Sequence, residues 1–402
     1  TGNSLSRAFL DCFDDPKLTW LFDGLEPSVP SIAELRAIEF EAPPLDVVGD
    51  FLTAMAQRTM AYLEKEYDIP ILLETAVDTI QHRADGHYTL HLRDVGSGRH
   101  HDLDVENVLC SFGGRQGLDV LKDCEVQPGL KLGDHTQRLL SSDDVLMLSN
   151  DEIQRAVPIT ADGEVVVVGG SHSAMSTIDR LTDGLGPVGL RRIIMLHRGP
   201  LRLYYASVEE AERDRYVFDR ELDICPMSGR VNRFGGLRYR SFDVARSILD
   251  TGKTPNQSIE VVSVPLHETQ SDAVSRHLNQ ASAVIACLGY QANLPPVVDH
   301  WKREIGLQNT PRGLEIDDDG RALLADGQPL AGLFVYGIGS RLLKRSKAIG
   351  GERSFHGSAD GVWIYQNHGG GVILNALRKT LTYGVDGTNP SSWGERHARI
   401  AN

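Results

Sequence analysis

The chain has 402 residues, 41% hydrophobic and 24% charged, which excludes a single small module and a generally disordered chain. Lys plus Arg number 41 against 55 Asp plus Glu, and the net charge of -14 argues against nucleic acid as a partner. No apolar run nears the roughly 18 residues that cross a bilayer, and five cysteines without a Cys-x-x-Cys pair argue against a disulfide framework or a zinc site, so a reducing, cytoplasmic setting is expected.

Phe9, Phe13, Trp20, Leu21 and Phe22, punctuated by Pro16, Pro27, Pro30, Pro43 and Pro44, predict a connecting region of short helices. Val48, Leu52, Met55, Thr59, Tyr62 and Leu63 fall at helical spacing and predict an amphipathic helix over Leu45–Tyr67. The period then changes. Residues 69–73, 88–93 and 104–110 read as strands joined by turns at 85–86 and 96–98, an antiparallel meander ending in the glycine turn 111–114. His100 and His101 are placed in a hairpin turn, with no third partner for a metal. A linker is expected near 154–162.

Residues 164–168 read as a buried parallel strand, 169–174 as a turn opening a helix, and 191–197 as the next strand, together a βαβ unit. Residues 207–250 read as mostly helical, broken at 234–236. Two further buried strands, 283–287 and 333–336, run into Leu288-Gly-Tyr290 and Gly337-Ile-Gly339, and a helix is expected from 369–371 to about 380.

The turn Gly169-Gly-Ser-His-Ser-Ala174 fits G-x-G-x-x-G/A in strand-turn-helix context, with Ser171 in place of the second glycine. Its chemistry is a tight turn at Gly169 and backbone N–H groups at a helix start facing a pyrophosphate. Ser171, His172 and Ser173 offer further donors, and Ala174 allows close helix–strand packing. At the end of the second strand an NAD site usually carries Asp or Glu. Here stand His197 and Arg198, with Arg202 close behind. Arginine pairs bidentately with a 2′-phosphate, which favours NADPH; the alternative is that Arg198 is only a solvated surface residue.

Val167-Val-Gly-Gly-Ser-His-Ser-Ala174, Ile285-Ala-Cys-Leu-Gly-Tyr290 with Asn293-Leu-Pro295, and Leu333-Phe-Val-Tyr-Gly-Ile-Gly339 follow one another in this order. Together they resemble the two-dinucleotide-binding-domain flavoproteins, in particular the flavin-containing and N-hydroxylating (ornithine/lysine-type) monooxygenases, over about residues 45–380. The resemblance implies an α/β fold with two Rossmann-like dinucleotide-binding domains. In it an NADP-binding domain, 159–282, is inserted in a partial FAD-type domain made of 1–158 and 283–402. It implies FAD and NADP as cofactors, O2 as co-substrate and a small amine or sulfur nucleophile that receives one oxygen atom.

It implies Gly169, Gly170, Ser171, His172, Ser173 and Ala174 around the NADP pyrophosphate and Arg198 on the 2′-phosphate. Gly289 and Tyr290 match the family's Ala-Thr-Gly-Tyr turn, with Cys287 and Leu288 replacing its small residues. Asn293 is implied at the domain junction or substrate, and Gly337 and Gly339 near the flavin. No catalytic acid or base and no metal ligand is assigned, and a homo-oligomer stays open.

One departure stands out. The family opens with a strand and a G-x-G-x-x-G turn for FAD, and residues 1–44 contain no such pattern. Truncation at the N-terminus is the expected explanation, and loss of FAD binding the competing one. A non-catalytic NADP(H)-binding relative and a flavoprotein reductase without oxygen transfer are the alternative functions. Residues 350–356 read either as a loop over the flavin or as a glycine-rich turn, and the basic cluster 341–347 as a phosphate contact or a solvated face.

Overall fold

The computed structural model describes residues 5–159, 164–310, 313–337, 350–356 and 370–383. The chain divides into two compact units, one built from 116–289 with 345–357 and the other from 2–115, 290–344 and 358–402.

The second unit opens with the helices Ser6–Phe13, Thr19–Phe22, Pro30–Ala37 and Leu45–Tyr67. Proline opens the third at its first position, Pro30, where a residue needs no N–H and proline's φ already suits a helix, and Pro44 precedes the fourth; the first two start after Leu5 and Leu18. Phe9, Leu10, Phe13, Ile32, Leu35 and Phe51 give this block its own core. The run 69–73, expected as a strand, is irregular, and Ile69, Leu72 and Leu73 are exposed. Pro70 lacks a ladder donor and Glu74 turns the chain with φ 52°, so pairing begins only at Thr75.

Thr75–His82, Tyr88–Asp94 and His100–Val105 form the antiparallel meander, joined on its first strand by the parallel pair Val297–Val298. His100 and His101 therefore lie on a strand rather than in a turn, and both are exposed. The stretch 104–110 is two strands rather than one. Its second part, Val108–Cys110, pairs in parallel with Pro329–Val335 beside Arg321–Leu323. Leu333 and Phe334 pack there with Ile373 and Ala376 of the helix Gly370–Tyr383.

The first unit is a parallel five-stranded sheet: β1 Leu139–Ser141, β2 Glu164–Val168, β3 Arg192–His197, β4 Glu260–Pro265 and β5 Ala281–Ala286, in the order β4-β3-β2-β5-β1. Successive side chains of a strand point to opposite faces. Val165, Val167 and Met195 accordingly pack with Ala174, Met175, Ile178 and Leu181 of the helix α3, His172–Leu185. Val166, Val168, Ile194 and Leu196 pack with Val274 and Leu278 of α5, Ser271–Gln280. Both faces are covered, which explains the unbroken valine run of β2.

The expected βαβ unit is present as β2-α3-β3. β4 and α5 were not anticipated. β1 pairs with β5, so the unit reaches back to 116, beyond the 159–282 expected for it. The expected linker begins as the helix α2, Asn150–Ala156, which follows α1, Ser142–Met147. Of the stretch expected as mostly helical, only Val208–Arg213 and α4, Tyr239–Thr251, are helices. The turns between them are held by side chains. Asn232 donates to the Leu203 carbonyl at 2.9 Å and to the Tyr216 hydroxyl at 3.3 Å.

Candidate nucleotide-binding site

β2 ends at Val168 and the chain must turn sharply to start α3 at His172. Gly169 makes that turn with φ +144°, and its N–H donates to the Leu196 carbonyl at 2.8 Å. A Cβ there would stand 2.5 Å from the Cys287 carbonyl oxygen, so no side chain fits. Gly170 lies against β3, where a Cβ would stand 3.1 Å from His197 Cβ. Ser171 is the exposed N-cap of α3 and its hydroxyl makes no capping bond. The first N–H groups of a helix have no partner within it, and they carry its positive dipole end.

These residues line a cleft of about 580 Å³ with Arg198, Arg202, Leu288 and Gly289. Val168, Leu196, Leu266 and Cys287 give it an apolar side. Burial pushes the Cys287 thiol up to about 12, so it stays protonated; it donates to the Thr177 hydroxyl at 3.5 Å. Arg198 is exposed at the end of β3 and spends one N–H on the Glu125 carbonyl at 3.0 Å. His197 is fully engaged, with Nδ1 2.7 Å from the Gly199 carbonyl and Nε2 2.7 Å from the Ser263 hydroxyl.

Of the expected pyrophosphate residues, Gly169, Gly170 and Ser171 line the cleft, and His172, Ser173 and Ala174 do not. The Nε2 of the His172 imidazole is buried without a hydrogen-bond partner among the described residues, and burial, with the Arg238 cation beside it, pushes it down to about 4. Ser173 and Ala174 complete the first turn of α3, with Ala174 fully buried.

The opposite wall of the cleft comes from 350–356, which the sequence offers as a loop over the flavin or a glycine-rich turn and which here lies across from the glycine turn. Ser354, Phe355 and His356 line it beside Gly235 and Arg202. Arg202 Nη1 donates to Ser354 Oγ at 2.7 Å, and Ser354 Oγ donates to Asp223 Oδ1 at 2.5 Å. The segment packs on 222–235 of the first unit.

A cofactor fit differs between the units. In the first, a strand, a glycine turn that excludes a Cβ, an uncapped helix start and two arginines meet the demands of a dinucleotide with a 2′-phosphate. In the second, Val108–Cys110 runs into Gly113 (φ 67°) and Pro329–Val335 into Gly337 (φ 115°), and neither turn opens a described helix. The described residues thus form no pyrophosphate cradle for FAD. Asn293, whose N–H donates to the Gly113 carbonyl at 3.1 Å, and Tyr290 belong to this second unit. Gly339 and the basic cluster 341–347 lie outside the described residues. Among the described residues no group of three His, Cys, Asp or Glu could hold a metal ion, and no helix is long and apolar enough to cross a membrane.

No family model matches the chain. It is 33% identical over 386 residues to the CMP-5′-(3-aminopropyl)phosphonate hydroxylase of Streptomyces rubellomurinus, spanning 94% of this chain and 85% of that protein. Its fold is similar to that of the ornithine hydroxylase from Pseudomonas aeruginosa, with a TM-score of 0.52 at 13% identity, over 94% of this chain and 87% of that one.

Proposed function

The chain belongs to the family of the CMP-5′-(3-aminopropyl)phosphonate hydroxylase, and we propose that it is an FAD- and NADPH-dependent monooxygenase that hydroxylates the nitrogen of a small amine. What supports the reading is the β2-α3-β3 cleft, where a glycine turn opens a helix beside Arg198 and Arg202, in a chain that matches a hydroxylase over nearly its whole length.

FAD, reduced by NADPH and oxidised by O2, supplies the oxygen-transfer chemistry in such enzymes. Among the described residues it has no cradle, whereas NADPH has the β2-α3-β3 cleft. The first-turn amides of α3 and the Ser171 hydroxyl face the pyrophosphate, where the helix dipole favours negative charge. Gly169 and Gly170 keep side chains out of its path. Arg198 and Arg202 take the 2′-phosphate by charge-assisted hydrogen bonds. The protonated Cys287 thiol adds no negative charge that would repel the phosphates. Val168, Leu196 and Leu266 keep water from one side of the ligand. The free cysteines suit a reducing, cytoplasmic compartment.

The relative's name carries a primary amine on a nucleotide-linked phosphonate, and that compound is the first substrate to test. The protein, supplied with FAD and NADPH in air, is expected to oxidise NADPH faster when the amine is present and to add one oxygen to it by mass spectrometry. Ornithine and lysine serve as controls for a free amino-acid substrate. NADPH bound but not oxidised would instead favour a nucleotide-binding relative without turnover.

A further inference from the structure

Glu352 is fully buried, yet no ion pair with a basic side chain holds it among the described residues. Its carboxylate accepts instead from backbone. The Phe234 N–H reaches its two oxygens at 3.0 and 3.1 Å, and the Gly235 N–H reaches Oε1 at 2.7 Å. Removing a carboxylate from water is costly unless such bonds replace its hydration, so this placement needs the two amides in position.

The chain around Glu352 is shaped to reach them. Gly350 has φ +73° and Gly351 φ +120°; a Cβ on either would come within 2.8 Å of Met227 Sδ or of the Phe234 ring. The Gly351 N–H points to Cys225 Sγ at 3.3 Å and the Ser354 N–H to the Leu222 carbonyl at 2.9 Å. The Phe355 ring lies 6.1 Å from that of Phe234. Two residues beyond Glu352, the Ser354 hydroxyl stands between Arg202 and Asp223. Because it donates to Asp223, its lone pairs face Arg202. A neutral hydroxyl that fixes one guanidinium nitrogen leaves the others for a ligand.

We propose that Glu352 is a positioning residue for the cofactor: by pinning 350–356 to the Phe234 and Gly235 amides, it holds Ser354 where that hydroxyl aims Arg202 at the 2′-phosphate of NADPH. The proposal rests on the NADPH reading above, and the test separates the two.

Dissociation constants for NADPH, NADH and adenosine 2′,5′-bisphosphate are measured by titration on the full chain, with thermal melts to confirm folding. The variants are E352Q, S354A, R202A and the doubles E352Q/R202A and S354A/R202A. In E352Q an amide N–H2 would face a backbone N–H, and S354A removes only the hydroxyl. Each single variant is expected to weaken NADPH and the bisphosphate by about 5- to 20-fold, the worth of one charged hydrogen bond, and NADH by less than about 2-fold. Neither is expected to weaken NADPH further once Arg202 is gone, as befits residues that act through it.

Unchanged NADPH affinity, equal losses for NADPH and NADH, or losses that add to that of R202A would overturn the role. If E352Q does not fold, S354A decides. A wild-type chain without preference for NADPH would sink the cofactor reading itself, and this role with it, before any variant is compared.

Discussion

Gly169 is held from two sides. Its φ of +144° is one that residues with a Cβ rarely adopt, and the Cys287 carbonyl fills the space a methyl group would need. Gly169→Ala is expected to destabilise the protein by about 2–4 kcal/mol, read as a lower midpoint in urea, from overpacking plus backbone strain. It should also abolish NADPH binding, because the displaced turn carries the α3 amides with it. Arg198 stands at the other end of the cleft with guanidinium donors to spare. Arg198→Ala should weaken NADPH by about tenfold and NADH hardly at all, the worth of a charge-assisted hydrogen bond to one phosphate. Equal losses in a titration would remove it from the 2′-phosphate.

Single residues differ in how far the sequence exposes them. The Gly169 turn was legible because its signal is local, a valine strand, two glycines and a helix within eleven residues. Glu352 was not, because its partners are main-chain amides more than a hundred residues earlier, and an amide carries no signature. His172 was misassigned for a related reason. Its place in the first turn of α3 is a matter of sequence, whereas the direction of its ring depends on packing beside Arg238.

Among the elements, α1 and α2 start with reciprocal caps. Ser141 pairs with Asp144, and Ser149 with Glu152, each side chain meeting the other's backbone N–H. Ser149→Ala is expected to cost about 1 kcal/mol in denaturant unfolding, in the ordinary range for a lost N-cap. α2 matters beyond its own length, since its Ile153 is fully buried and a Cβ on Gly184 of α3 would stand 2.7 Å from Ile153 Cγ2.

The elements read most securely were those with long apolar periods, Leu45–Tyr67 and β2-α3-β3. The run 69–73 misled because an apolar composition says nothing about whether a pairing strand is available, and here none takes it up. β4 was missed although Val261, Val262 and Val264 carry strand propensity; it follows a left-handed turn at Gly252, to which it is tied by a single bridge between Glu260 and Lys253, and its ladder runs with β3, some 70 residues earlier in the chain. Val108–Cys110 was legible as strand within 104–110, but its parallel partner Pro329–Val335 lies more than two hundred residues later and no local pattern announces that pairing.

For the molecule as a whole, pH is an informative lever. In the folded chain the His172 imidazole sits well below its ordinary value, at about 4. Between the two values the unfolded chain binds the proton that the folded one refuses, so this group's contribution to stability is complete above about pH 6.5, falls with pH below it, and is gone near pH 4. Urea midpoints measured from pH 7.5 to 4.5 should therefore fall, and His172→Asn should flatten that part of the profile. An unchanged slope would mean that other groups carry it.

The first unit closes over a gap in the chain. Its sheet is complete by residue 286, but the residues that pin Glu352, and Glu352 itself, are separated by more than a hundred positions, including the strands of the second unit from 291 to 335. During synthesis the nucleotide cleft thus acquires its last wall only after the ribosome has released a stretch that belongs elsewhere. A chain synthesised only as far as 340 contains the β2-α3-β3 segment and Phe234 and Gly235 but not the carboxylate that their amides bond in the full chain. The order of the chain thus makes 354–356 the last part of the cleft lining to be synthesised.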